Sequence, residues 1–117
     1  MTITVRGQGC YEVLHGCAQD STDSYVAVTG SELDARAWRS VAYTMDVITN
    51  GVKWQVFADN ASAFGSEVIV QAEALVAADA QGTFTLANAP YSYYRIKIKS
   101  AVAQTPGSVS VYALMTG

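Results

Sequence analysis

Cys10, His15 and Cys17 are the residues whose types and spacing come nearest to a reactive cluster. A thiolate beside an imidazole is a nucleophile pair, and three such side chains are part of a metal site. Zinc centres, however, use four ligands, or three with an open position backed by a general base. His15 is the only histidine, so any Ser-His-Asp or Cys-His arrangement has to use it. No motif surrounds it. The carboxylate pairs Asp20 with Asp23 and Glu32 with Asp34 would serve acid–base chemistry only if burial set their pKa values apart. They lie in polar segments and read as solvated. Gly7-Gln8-Gly9 lacks the Lys-Ser/Thr and the following helix of a phosphate loop. The sequence therefore predicts no enzyme, no catalytic residues, no metal site and no cofactor. In a cytoplasm the two cysteines are expected as reduced thiols, the alternative being a disulfide across their short loop.

Two other patterns could carry binding. Arg95, Lys97 and Lys99 recur at every second position, which places three cations about 6–7 Å apart on one face of a strand. Such a row repels itself unless acids lie across the ladder, and Glu67, Gln71 and Glu73 could supply partners. It is then either a solvated face of cross-strand pairs or a docking stripe for an acidic neighbouring subunit. The aromatic residues divide similarly. Trp54 and Tyr94 fall on apolar faces and read as core. Trp38 and Tyr93 are expected at a surface or subunit interface, where such side chains are enriched. Exposed Trp38, Tyr91 or Tyr93 beside the Asp59-Asn60 loop would suit a sugar ring.

The elements that must position these residues are strands. Val41, Tyr43, Met45 and Val47 alternate with polar or small residues, and so do Val52, Trp54 and Val56. A period of two marks a half-buried strand. Asn50-Gly51 between the runs predicts a type I′ hairpin joining strand 39–49 to strand 52–58. Further strands are predicted over 2–6, 11–14, 24–29, 67–76, 82–86, 93–100 and 108–115. In 93–100, Tyr94, Ile96 and Ile98 point inward. Gln71 to Ala80 is Ala-rich and could be helical, but the β-branched start Val68-Ile69-Val70 favours a strand. Without crossover helices the sheets should be mostly antiparallel. The expected fold is all-β: a two-sheet, mostly antiparallel β-sandwich of seven to nine strands, with a jelly roll as one arrangement. The expected core is Trp54, Tyr94, Ile96, Ile98, Val68, Val70, Val109 and Val111. Residues 1–117 read as a single domain, with 1–9 as an N-terminal arm or edge strand.

Half of the 117 residues are hydrophobic and 15% are charged, too apolar for disorder. A net charge of −3 argues against nucleic acid as a partner. No apolar run is long enough for a membrane-spanning helix. The first residues show neither the basic nor the apolar region of a signal peptide, so synthesis in a cytoplasm is expected.

From Ser40 to Ser100 the chain resembles small β-sandwich structural proteins of tailed bacteriophages and prophages. The resemblance is carried by Val-Lys-Trp-Gln-Val-Phe-Ala-Asp-Asn-Ala-Ser after Asn-Gly, by Glu-Val-Ile-Val-Gln-Ala-Glu-Ala, and by Tyr-Tyr-Arg-Ile-Lys-Ile-Lys-Ser before a closing Gly-Ser-Val-Ser-Val-Tyr strand. The first forty residues match less well. The resemblance implies a non-enzymatic virion protein that decorates or cements the capsid or serves as a head–tail accessory. Its partners would be the major capsid protein or a neighbouring virion protein, and copies of itself, with a trimer favoured. The residues expected at interfaces are Ile3, Val5, Arg6, Trp38, Tyr93, Arg95, Lys97 and Lys99. The alternative is a carbohydrate-binding or lectin-like module.

Overall fold

The computed structural model describes the backbone of residues 2–6 and 10–117, and side chains from Ala18 onward. The described residues form ten strands: β1 (Thr2–Arg6), β2 (Cys10–Asp20), β3 (Val26–Ala27), β4 (Leu33–Asp34), β5 (Ser40–Val47), β6 (Val52–Asp59), β7 (Val68–Val76), β8 (Gln81–Leu86), β9 (Tyr93–Ser100) and β10 (Ser108–Thr116). The first sheet runs β1-β2-β10-β5-β8 and the second runs β3-β9-β6-β7, with β4 also paired to β9. All the pairings are antiparallel. Taking β3 and β4 as one interrupted strand, the orders 2-10-5-8 and 3-9-6-7 are those of a jelly roll with β1 added at one edge.

The interruption between β3 and β4 has a local cause. Gly30 takes a positive φ of 86°, and the chain turns so that buried Ser31 links both sheets. Its carbonyl accepts the Tyr43 hydroxyl at 2.6 Å, and its Oγ accepts the Ile96 amide at 3.2 Å.

The period-two pattern is realised as burial. β5 and β9 alternate strictly between half-buried and buried positions. Val41, Tyr43, Met45, Val109, Val111 and Phe84 of the first sheet meet Val52, Trp54, Val56, Tyr94, Ile96 and Ile98 of the second. Each large apolar side chain so buried contributes about 1.5–3 kcal/mol. Trp54 is 1% exposed. It has room because the facing position on β8 is Gly82, where a Cβ would sit 3.1 Å from the indole ring.

Three expectations are corrected. Asn50-Gly51 turns the chain, but it joins no hairpin, because β5 and β6 belong to different sheets. A type I′ turn needs positive φ at both central residues, and only Asn50 has it, at 28°. The turn is instead tied to the β9–β10 loop: Asn50 Nδ2 donates to the Pro106 carbonyl at 2.9 Å, and Thr49 Oγ1 accepts the Ser108 amide at 3.0 Å. The strand expected over 24–29 is reduced to Val26–Ala27. Val68 is 40% exposed and Val70 only partly buried. Both lie on β7, an edge strand whose register with β6 shifts on either side of Val56, so its apolar alternation loses the phase of the core. The 67–76 segment is nonetheless a strand rather than a helix.

Close approach makes Gly107 a demanding position among the described glycines. A Cβ there would lie 2.3 Å from the Asn50 carbonyl oxygen and 2.7 Å from Val52 Cγ1. Gly107→Ala is expected to cost about 3 kcal/mol, as overpacking against fixed backbone does. Gly65→Ala, where a Cβ meets nothing within 4 Å, should leave the unfolding midpoint unchanged. Parallel urea titrations of the two variants check this.

Candidate interaction surfaces

The outer face of the second sheet carries the cationic stripe. Arg95, Lys97 and Lys99 alternate with inward Tyr94, Ile96 and Ile98, so all three project to one side. The acids expected opposite them are present. Glu67 Oε1 accepts from Arg95 Nε at 2.9 Å and Nη2 at 2.7 Å, while Glu67 Oε2 accepts from Lys97 Nζ. Glu73 accepts the Tyr25 hydroxyl at 2.6 Å and lies 3.6 Å from both Lys53 Nζ and Lys99 Nζ. Each cation also sits over a ring: Arg95 4.5 Å from the centroid of Phe64, Lys97 4.6 Å from Phe57, and Lys99 5.0 Å from Tyr25. Each cation of the stripe thus has an acidic partner within the chain, with two carboxylates shared among four cations, and the stems cover aromatic surface.

These pairs leave an electrostatic signature. Burial alone would raise the Glu67 carboxyl, but its bonds to Lys97 and Arg95 outweigh that and hold it below the ordinary carboxylate range. The Tyr25 hydrogen bond, with Lys53 and Lys99, lowers Glu73 despite some desolvation. Burial and the Glu73 carboxylate push the Tyr25 phenol upward.

The outer face of the first sheet is different in kind. Its described outward residues include Ala42, Thr44, Thr83, Thr85, Ser110, Tyr112 and Leu114, with Asp20 and Asp46 as the charged groups. Leu114 is 41% exposed. A shallow groove of about 240 Å³ runs across β5, β8 and β10, with Ala42, Leu86, Ala87 and Leu114 in its walls. At the edge of this sheet β1 packs chiefly along β2, and among the described residues its far side pairs with no strand. Ile3, Val5 and Arg6 lie on this strand, but their side chains fall outside the described residues, as do those of Cys10, His15 and Cys17.

A third surface lies at one end of the sandwich. The β4–β5 connection (35–39) and the β8–β9 connection (87–92) border an open cleft of about 520 Å³, lined by Arg36, Trp38, Arg39, Asn88, Pro90 and Gly117 among others. Its walls are pinned by backbone hydrogen bonds. The Ala89 amide donates to the Arg39 carbonyl at 2.7 Å, the Arg39 amide to the Thr116 carbonyl at 2.9 Å, and the Ala35 amide to the Ser92 carbonyl at 2.7 Å. Trp38 is half-buried, packed against the core and lining the cleft. Arg36 holds Asp34 through Nε at 2.9 Å and Nη2 at 2.7 Å, lies 5.3 Å from the Tyr93 ring centroid, and lowers the Asp34 carboxyl by that hydrogen bonding. Arg36, Arg39 and Asn88 were not singled out by sequence reasoning. The available signal was Arg-Ala-Trp-Arg at 36–39, two guanidiniums flanking an indole between strands.

The expected interface residues therefore fall in three settings: Ile3, Val5 and Arg6 on β1, Tyr93, Arg95, Lys97 and Lys99 along β9, and Trp38 in the end cleft. The carboxylates weighed for acid–base work each have a local partner. Asp20 accepts from Ser108 Oγ, Asp23 from the Gln104 amide, Glu32 from the Gly30 amide, and Asp34 from Arg36.

No protein-family model and no curated protein sequence matches the chain. Solved structures do. The SPBc2 prophage-derived protein YomS is similar over 97% of this chain and 98% of its own, with a TM-score of 0.61 at 10% identity. A subunit of the Bacillus endospore appendages, described as disulfide-linked pili, is similar over 99% of this chain and 90% of its own, with a TM-score of 0.52 at 13% identity. A chain from infectious bursal disease virus, Gx strain, is similar over 94% of this chain, which spans about a third (32%) of that viral chain, with a TM-score of 0.53 at 11% identity. At such identities the likeness is one of fold. A prophage protein of the same architecture and nearly the same extent bears out the resemblance read from the β6, β7 and β9 segments.

The Glu67 and Glu73 pairs predict an acid limb of stability. Both carboxyls titrate lower in the fold than in the unfolded chain, so their contribution is fully present above the unfolded value of about 4.3. It is lost as pH falls through the lower folded values. The thermal midpoint should be level from pH 7 to about 5.5 and drop below about 4.5. Glu67→Gln should cost about 1 kcal/mol at pH 7 and make that drop shallower. Thermal scans of both proteins across pH measure it.

Proposed function

We propose that the chain is a non-enzymatic structural protein of a phage or prophage particle, held by protein–protein contact to the capsid or to a neighbouring virion protein and to copies of itself. The observation that carries this reading is the asymmetry of the jelly roll. One broad face carries four cations that share two carboxylates within the chain, while the other has, among its described residues, only Asp20 and Asp46 as charged groups and ends in a strand whose outer ladder edge is open among the described residues. An open edge is a template for strand addition. A face of Ser, Thr, Ala, Tyr and Leu loses little solvation when covered, and a specific contact needs about 1,200–2,000 Å² in total. The fold likeness to a prophage-derived protein, to a pilus subunit and to a chain of a virus supports the same reading. So do the carboxylates weighed for catalysis, which serve turns and ion pairs instead.

In this reading β1, with Ile3, Val5 and Arg6, adds to the sheet of a neighbouring copy, and a trimer is the favoured assembly. Trp38 and Tyr93 lie at the end of the sandwich, apart from that contact. Arg95, Lys97 and Lys99 present a face on which each cation already has a carboxylate partner. The protein would be made in the host cytoplasm and reside in the virion, without cofactor, nucleic acid or membrane as partners.

Size exclusion with light scattering, followed by mixing with bare capsids, tests the proposal. The intact chain is expected to self-associate and to bind shells. Removal of residues 1–9 should abolish self-association while leaving the β-type circular dichroism in place. Leu114→Asp, at a 41% exposed position, should weaken shell binding at least tenfold with a change in stability under about 0.5 kcal/mol. An intact chain that remains monomeric and leaves capsids untouched would remove the proposal.

A further inference from the structure

The end cleft has a chemistry that the assembly reading does not use. Five of the six described cations outside the N-terminal segment meet an acid: Arg36 meets Asp34, Lys53 and Lys99 meet Glu73, and Arg95 and Lys97 meet Glu67. Arg39 is the exception. Its guanidinium has no acidic or hydrogen-bonded partner among the described residues, and it lines the cleft next to Trp38. In a chain where the other described cations are paired, an unpaired guanidinium beside an indole is a distinctive pairing.

The surroundings fit one kind of occupant. Trp38 offers an aromatic wall backed by the core. Asn88, across the cleft, carries an amide that both donates and accepts. Asp34, the carboxylate bordering the adjoining part of the cleft, is held by Arg36 in a two-bond contact, so its charge is already engaged. The backbone of Arg39 is fixed by its amide and its carbonyl, which leaves the side chain the element free to adjust. The cleft is open rather than enclosed, which suits an extended chain lying across it more than a buried small molecule. An indole stacks on the apolar face of a pyranose ring, an amide reads its hydroxyls, and a guanidinium binds a carboxylate through two parallel hydrogen bonds.

From this the geometry points to a saccharide-binding site selective for acidic, carboxylate-bearing glycans, with Trp38 as the stacking platform, Arg39 as the carboxylate clamp and Asn88 as a hydroxyl partner. This site is built from the β4–β5 and β8–β9 connections rather than from the outer face of either sheet.

Trp54 is 1% exposed and Trp38 is half-buried at the cleft, so indole fluorescence reports mainly on Trp38 when the probe is added. Titration of the full chain with the trisaccharide of galacturonic acid should give a saturable change, and maltotriose, neutral and of the same length, should bind at least tenfold more weakly. Arg39→Gln should weaken the acidic probe about tenfold, bring the two sugars close together, and leave the unfolding midpoint unchanged. Asn88→Asp, which places a carboxylate opposite the guanidinium, should abolish the response to the acidic sugar. No saturable change with either sugar, or an affinity untouched by Arg39→Gln, would overturn the assignment. An equal response to a tri-glutamate peptide would give the cleft to acidic protein segments and overturn it as well. Loss of self-association in the residue 1–9 deletion bears only on the assembly reading, so the two fail independently.

Discussion

The structure depends on closing two sheets over Trp54. An indole is the largest side chain a sandwich of this thickness can hold between its layers, and here it fits because Gly82 stands opposite it on β8. Facing sheets sit about 10 Å apart, so a side chain at that facing position would have to share the space with the ring. With Trp54 seated, Val52 and Val56 on one side of it and Ile96 and Ile98 on the neighbouring strand meet Met45, Val109 and Val111 from the other layer. The observed registers set β8 and β10 on either side of β5 along its length. That fixes where they end, and the ends decide which connections lie together.

Two connections are brought into one place by that closure. β5 begins at Ser40 and β8 ends at Leu86 as direct neighbours in the first sheet, with Val41 opposite Leu86. The segment entering β5 and the segment leaving β8 must therefore run side by side, and Ala89 bonds to Arg39 across them. The cleft with Trp38, Arg39 and Asn88 is a consequence of strand pairing rather than of loop flexibility. Its walls are tied at both sides by backbone hydrogen bonds, and a site held in this way needs little reorganisation when a ligand arrives.

Strand positions were legible in the sequence wherever one face is buried and the other is not. β9 shows this best: its alternation is strict, and its boundaries are those read from the residues. β1, β6 and β10 follow closely. Pairing was less legible, because alternation states which side of a strand is apolar but not which neighbour it has. Asn50-Gly51 signals a reversal in either case. Here the reversal crosses from one sheet to the other, since Val47 and Val52 on its two sides must both point into the gap between layers. β7 failed for a related reason. Val68 and Val70 satisfy the pattern, but an edge strand with shifted register is not obliged to aim its apolar side at the core. Of the candidate surfaces, the Glu67 and Glu73 partnership with the stripe was readable because cross-strand spacing constrains it. Arg39 was not, since being unpaired is a property of everything around a residue.

The division of charge between the two broad faces also bears on how the domain can associate. Arg95, Lys97 and Lys99, placed over Phe64, Phe57 and Tyr25, cover those rings while keeping charge on the face. Covering that face would desolvate several ions that already have partners, a cost that their attraction would not offset. Among its described residues the opposite face carries only Asp20 and Asp46, so that cost is smaller there. Ser, Thr and Ala give up little hydration, Leu114 gains from burial, and the backbone edge of β1 supplies hydrogen bonds that owe nothing to side-chain identity. One surface of the jelly roll is built to stay in water and the other tolerates leaving it. The end cleft, formed by the β4–β5 and β8–β9 connections, lies on neither face.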